Sequence, residues 1–235
     1  MRPRLPPPYD LVAFDCDSTL STIEGIDELG RGVTGVAELT DRAMAGEVAL
    51  EDVYALRLER IAPTLSEVEA IGARYVATAV PGAVELVGGL LALGKRVVIV
   101  SGGLREAILP LADHLGVARA DVHAVDVRFD ANGRYAGLAE HAPLARAGGK
   151  PAVVEPLVRG LRAALVGDGA TDLEARPAVD RFVAYAGVER RAAVVAGADA
   201  SIEHLDLLAA APLLLAPEER ARLARLGRPG FGPVA

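Results

Sequence analysis

Apolar positions along this chain come as short, β-branched runs separated by longer stretches of helical spacing. Residues 11–15 (Leu11-Val12-Ala13-Phe14-Asp15) form the first run and read as a buried strand. From Ile23 to about Thr78 the pattern is charged and helical, broken at 30–35, at Gly46 and at Pro63, with Val53, Leu56 and Ile61 at roughly helical spacing. The next strand is 96–100 (Arg96-Val97-Val98-Ile99-Val100), ending in Ser101-Gly102-Gly103. A helix follows over 104–115, stopped at Gly116. Alternation over 125–129, the turn Asp130-Ala131-Asn132-Gly133 and a return over 134–136 predict a β-hairpin. A helix over 151–162, with Pro151 in its first turn, leads to a buried strand at 163–166 that ends in Gly167-Asp168-Gly169-Ala170-Thr171-Asp172, and 182–185 reads as a further strand. Strands alternating with helices predict an α/β fold with a doubly wound parallel sheet. The expected organisation is a core over 10–20 and 80–217, a helical cap inserted over 21–79, and a flexible tail over 218–235.

Composition narrows the function. Hydrophobic residues make up 51% of the 235, yet aromatics only 4% and Trp is absent, so the core is built from small aliphatics and offers no stacking platform for single-stranded nucleic acid. A net charge of −7 excludes a global basic field for a polyphosphate backbone. Apolar runs are too short to cross a bilayer, so no membrane partner is expected. Residues 1–9 hold two Arg and four Pro but no apolar segment, so no secretory signal is expected. The single cysteine, Cys16, fits a reducing cytoplasm and reads as a small buried hydrophobe.

The three strand ends carry the chemistry. Asp15-Cys16-Asp17-Ser18-Thr19, Ser101-Gly102-Gly103 and Gly167-Asp168-Gly169-Ala170-Thr171-Asp172 would converge in the crevice at the carboxyl ends of a parallel sheet. Phosphoryl transfer needs such a set. One carboxylate attacks phosphorus, and Asp15 and Asp168 can supply the one or two carboxylates that Mg²⁺ prefers. A second acid handles protons, and Ser101 with the glycine-flanked amides donates to phosphate oxygens. Lys150, in Gly148-Gly149-Lys150, opens the helix before the third strand as a point charge for the phosphoryl group.

These motifs resemble the phosphoserine phosphatase branch of the haloacid dehalogenase superfamily. Glu24-Gly25-Ile26-Asp27-Glu28-Leu29, Arg42-Ala43-Met44-Ala45-Gly46 and the 129–137 stretch extend the resemblance over about residues 10–210. It implies a Rossmann-like core with a small helical cap, and Mg²⁺-dependent hydrolysis of O-phospho-L-serine through an aspartyl-phosphate. Asp15 would be the nucleophile and Asp17 the acid/base. The metal would rest on Asp15, Asp168 and the Asp17 carbonyl, with Asp172 helping through water. Ser101, Gly102, Gly103 and Lys150 would hold phosphate, with Thr171 beside them. Glu24 would meet the substrate ammonium and Arg57 its carboxylate, while Met44 and Gly46 would touch the serine moiety. Arg60 lies one turn from Arg57, and a further substrate arginine falls on Arg191 or Arg190. The implied unit is a monomer or homodimer acting on a small molecule.

Two rivals share this chemistry: a phosphotransferase passing the phosphoryl group to an alcohol such as homoserine, and a phosphatase for another small phosphomonoester. An inert metal-binding module would have no need of the second acid. Gly89-Leu90-Leu91-Ala92-Leu93-Gly94-Lys95 mimics a P-loop, but Arg96 replaces its Ser/Thr and the segment precedes a strand, so it reads as a helix end. Four scattered histidines have no zinc spacing.

Overall fold

A computed structural model describes residues 5–36, 39 and 50–231; Met44 and Gly46 lie outside the described residues. Its centre is β1 (Leu11–Phe14), paired in parallel with β2 (Arg96–Leu104) on one side and β6 (Ala163–Gly167) on the other. With β3 (Val122–Val125), β7 (Arg181–Tyr185) and β8 (Ala200–Ile202) the order is β3-β2-β1-β6-β7-β8, parallel throughout. Because β1 is central and covered on both faces, every one of its residues is buried, which is why it reads as an unbroken apolar run.

Side chains alternate across the sheet and divide the core into two layers. Val12, Phe14, Val97, Ile99 and Val166 face one layer; Leu11, Ala13, Val98, Val100 and Leu165 face the other. The first layer is closed by α4 (Ala83–Ala92), through Leu86 and Leu90, and by α5 (Arg105–Leu115), through Ile108 and Leu111. The second is closed by Val154 of α6 (Gly149–Leu157) and Val194 of α8 (Ala192–Gly197).

The insertion carries α1 (Gly25–Gly30), α2 (Leu50–Ile61) and α3 (Leu65–Ala77). Thr64 and Glu67 cap α3 reciprocally: the Thr64 hydroxyl accepts from the Glu67 amide and the Glu67 carboxylate accepts from the Thr64 amide. α3 lies directly on α5, where Gly72 meets Pro110 and Ala107, and its Val68, Ile71 and Tyr75 share the core's first layer. The insertion's entry and exit run side by side, with the Thr22 amide donating to the Thr78 carbonyl and that of Val80 to Leu20.

Several expectations shift. β2 continues through Ser101-Gly102-Gly103, with its register to β3 shifting between Val100 and Leu104. Val125 belongs to β3, so the hairpin is β4 (Val127–Phe129) with β5 (Tyr135–Leu138), and Asp130 accepts from the Asn132 and Arg134 amides in its turn. The helix expected over 151–162 runs Gly149–Leu157, because a turn through Gly160 must deliver the chain into β6. The P-loop look-alike closes α4 and buries the Lys95 ammonium on the Tyr9 carbonyl.

Within the stretch read as a flexible tail, residues 218–231 are ordered. After the short α9 (Ala211–Leu214), α10 (Pro217–Arg225) buries Leu223 fully, Lys95 pairs with Glu219 at 2.5 Å, and Phe231 packs on Gly89. Two apolar anchors among many polar residues are a weak signal in sequence, yet together they bury enough to hold the segment. None of the helices among the described residues is long and apolar enough to cross a membrane. Leu223→Ala is expected to lower the unfolding free energy by about 2–5 kcal/mol, the range for truncating a buried leucine, as read from urea unfolding midpoints.

Candidate active site

The sheet reverses its winding at β1, since β2 and β3 lie to one side and β6 to β8 to the other. The crevice of a doubly wound sheet opens at that switch point, outside the carboxyl ends of the strands. Asp15 follows β1 there, Gly102 lies near the end of β2 and Asp168 follows β6. Together with Asp17, Glu24, Tyr54, Arg57, Lys150, Thr171 and Arg191 they line a cleft of about 330 Å³.

At its floor, carboxylate oxygens of Asp15, Asp168 and Asp172 lie within 4.8 Å of one another, and all three residues are buried. Lys150, in the first turn of α6, reaches Asp15 Oδ2 at 2.9 Å and Asp172 Oδ1 at 2.7 Å. Burial alone would depress the lysine; the charges of Asp15 and Asp172 outweigh it and hold the ammonium above its usual pKa. Asp172 is pushed up by burial and by Asp15, against the pull of Lys150. Its second oxygen accepts the Gly169 amide at 2.9 Å, so this acid also caps α7 (Ala170–Ala175). Gly167 is a glycine because a Cβ there would stand 2.3 Å from the Asp172 carboxyl carbon. Asp168 accepts from Thr19 Oγ1 at 2.8 Å and is paired with Arg191. Three clustered carboxylates facing one lysine and one arginine fit a hard divalent cation, which takes oxygen ligands and would relieve their mutual repulsion.

Asp17 stands apart from this cluster. β1 ends at Phe14 and a turn begins at Cys16, whose carbonyl accepts the Thr19 and Leu20 amides, so Asp15 and Asp17 do not share an extended strand face. Asp17 Oδ1 accepts from the Gly25 amide at 2.8 Å and from the Tyr75 hydroxyl, and Oδ2 meets Ser101 Oγ at 3.3 Å. Removal from solvent, then the nearby Asp15 charge, raise its pKa to about 7 in spite of those donors. Cys16, between the acids, points into the hydrophobic layer, and burial pushes its thiol well up.

The cleft's outer wall separates the paired candidates. Arg57 lines the cleft and pairs with Asp27, whereas Arg60 donates to the Thr34 carbonyl at 2.9 Å. Arg191 bridges Glu24 at 2.9 Å and Asp168, whereas Arg190 pairs with Glu203 at the surface. Glu24 also accepts from Ser18 Oγ at 3.0 Å. Thr171 lies on the cleft wall. Ser101 is fully buried beside Asp17, and Gly103 donates its amide to Ser101 Oγ at 3.0 Å and so does not offer it to a ligand. Sequence reading missed Tyr54, whose hydroxyl donates to the Gly102 carbonyl at 2.6 Å, and Tyr75. Tyr54 precedes Arg57 by one helical turn, a signal that could have found it; Tyr75 reads as core.

The profile of the haloacid dehalogenase-like hydrolases matches residues 12–175. The chain belongs to this family. Among haloacid dehalogenase-like relatives, the chloroplastic phosphoserine phosphatase of Arabidopsis thaliana is 43% identical over 199 residues, covering 81% of this chain and 67% of that protein. The phosphoserine phosphatase of Mus musculus is 38% identical over 184 residues, 76% of this chain and 82% of that one. A solved phosphoserine phosphatase holding an analogue of its phospho-aspartyl intermediate superposes with a TM-score of 0.71 at 25% identity, over 87% of this chain and 98% of that one. The haloacid dehalogenase fold expected from the strand-end motifs is thus the fold observed.

The raised pKa of Asp17 sets a stability trend. A carboxyl whose folded pKa stands near 7 against an ordinary 3.8 favours the fold fully below 3.8, and that contribution is lost progressively as pH rises from there to 7. In chelator, Asp17→Asn is therefore expected to gain stability relative to the parent between pH 5 and pH 8, as read from denaturant midpoints at each pH. Parallel curves for the two proteins would contradict it.

Proposed function

We propose that this chain hydrolyses O-phospho-L-serine to L-serine and phosphate, using Mg²⁺. The observation that carries the reading is the carboxylate cluster of Asp15, Asp168 and Asp172 on Lys150, with a separate, proton-holding Asp17 beside it. Relatives named phosphoserine phosphatase support the substrate. So does the outer wall, where the acid Glu24 and the base Arg57 suit an ammonium and a carboxylate. The Arg57 Nε is buried with no hydrogen-bond partner among the described residues, a donor left for a ligand.

In this reading an Asp15 oxygen attacks phosphorus, the bond from phosphorus to the seryl oxygen breaks, and Asp17 gives that oxygen its proton. Asp17 then takes a proton from water as the water attacks phosphorus, and the bond to Asp15 breaks to return its carboxylate and release phosphate. Lys150 holds Asp15 in place and meets phosphoryl charge with the Gly102 region. Asp15, Asp168 and the Asp17 carbonyl would hold the cation, with Asp172 behind them; the cation supplies charge neutralisation on the phosphoryl oxygens. The insertion over 21–79 serves as a cap that excludes bulk water from the core over 10–20 and 80–217. The acting unit is a monomer or homodimer, in a reducing compartment such as the cytoplasm; the Arabidopsis relative is named chloroplastic, so other compartments suit the same enzyme.

Steady-state phosphate release from O-phospho-L-serine, against a panel of phosphomonoesters and with acceptor alcohols, tests the reading. Chelator is expected to abolish turnover and Mg²⁺ to restore it, and Asp15→Asn to lose at least ~10³-fold in kcat. Near-normal turnover of Asp15→Asn, or a preference for transfer to an alcohol, would overturn it. Arg57→Ala is expected to raise KM for phosphoserine by roughly 10- to 100-fold, the equivalent of a lost charge-assisted hydrogen bond, while Arg60→Ala stays within about threefold.

A further inference from the structure

Tyr75 is fully enclosed in α3, and its hydroxyl is spent on one atom of the cleft, Asp17 Oδ1. The same oxygen accepts the Gly25 amide at 2.8 Å, and that amide stands 3.0 Å from the Tyr75 oxygen, so three atoms close a triangle on one side of the carboxyl. The triangle requires glycine at 25, because a Cβ there would lie 2.2 Å from the Tyr75 hydroxyl oxygen. Oδ2, by contrast, has a single hydrogen bond among the described residues, a long one of 3.3 Å to Ser101 Oγ. The two oxygens of the carboxyl are therefore unequal: one is tied to two close donors, the other to one distant donor.

We infer that Tyr75 is a positioning residue for the proton-transfer step: with the Gly25 amide it anchors Asp17 Oδ1 and leaves Oδ2 as the oxygen that exchanges protons with the leaving group and with water. This deepens the reading of Asp17 as acid/base and rests on it. A carboxyl turns about its terminal bond at little cost, so without an anchor it presents its proton in many orientations, and proton transfer depends on a hydrogen bond of fixed geometry. Both anchors come from the insertion, Gly25 from α1 and Tyr75 from α3, while Asp17 belongs to the core's first strand end. The acid/base geometry is thus completed by the insertion. The chemistry is unchanged in its balance: Oδ2–H protonates the departing ester oxygen as its bond to phosphorus breaks, and Oδ2 later receives one proton of the attacking water.

The test uses the leaving group. A seryl oxygen departs only with a proton, whereas p-nitrophenolate departs without one. First-turnover rates are measured by rapid mixing for O-phospho-L-serine and for p-nitrophenyl phosphate, on a single preparation of Tyr75→Phe so that any unfolded fraction cancels in their ratio; Tyr75→Met serves if the phenylalanine chain does not fold. The expected result is a loss of roughly 10- to 100-fold for phosphoserine, a ratio of the two rates lowered at least about tenfold, and a KM for phosphoserine within about threefold of the parent. Equal losses on both substrates, or none, would show that the hydroxyl only fills a buried hydrogen bond and would overturn the inference while leaving the phosphatase reading intact. An unaltered protein that turns over neither substrate would instead remove the phosphatase reading, and this inference with it.

Discussion

Negative charge crowded at the mouth of a parallel sheet is the constraint on which the rest of this structure depends. Asp15, Asp168 and Asp172 bring carboxylate oxygens within 4.8 Å of one another, where burial strengthens every repulsion, and Asp17 adds a fourth acid nearby. Lys150 offsets part of that charge through two contacts below 3 Å, and it can do so only because α6 starts where the chain has returned to the carboxyl edge of the sheet. Arg191 arrives from beyond β7 to pair with Asp168. What the protein groups leave uncompensated is the driving force for taking up a cation, so the cost of assembling the cluster and its capacity for function are the same quantity.

The fold supports this cluster through a division of labour. The sheet is stiff and aliphatic, with β1 buried on both faces, so Asp15 leaves it in a defined place. The strand ends at Phe14 and the turn that begins at Cys16 then separates two acids that an extended strand would have pointed the same way. The consequence is chemical: Asp15 is held by Lys150 and the Cys16 amide, while Asp17 is drawn to Tyr75 and Gly25 in the insertion. Two carboxyl groups two residues apart thereby acquire different partners and different surroundings.

The insertion is joined to the core more intimately than the word cap suggests. α3 lies against α5 and its apolar side chains belong to the core's own first layer. Tyr54 reaches across to the Gly102 carbonyl, and Glu24 is tied to Arg191. The outer wall of the cleft is therefore held by hydrogen bonds between the two parts.

Much of this was legible in the chain itself. Short β-branched runs alternating with helices determine a parallel sheet, because such strands are buried on both faces, and polar residues at three strand ends determine that these ends converge, with Asp15 beside Asp168 and Ser101 beside Asp17. The edge strands β3 and β8 were missed, since pairing with a neighbour and not local pattern creates a short edge strand. The tail was misread because two buried side chains, Leu223 and Phe231, outweigh a polar composition only once their pockets exist. Only tertiary structure could choose Arg57 over Arg60 for the cleft and Arg191 over Arg190, since neighbours in sequence differ in the direction they point once the backbone is placed. It alone could also bring Tyr75 to Asp17, 58 residues away, because a tyrosine at helical spacing in an apolar stripe is indistinguishable from core until the atom its hydroxyl meets is known.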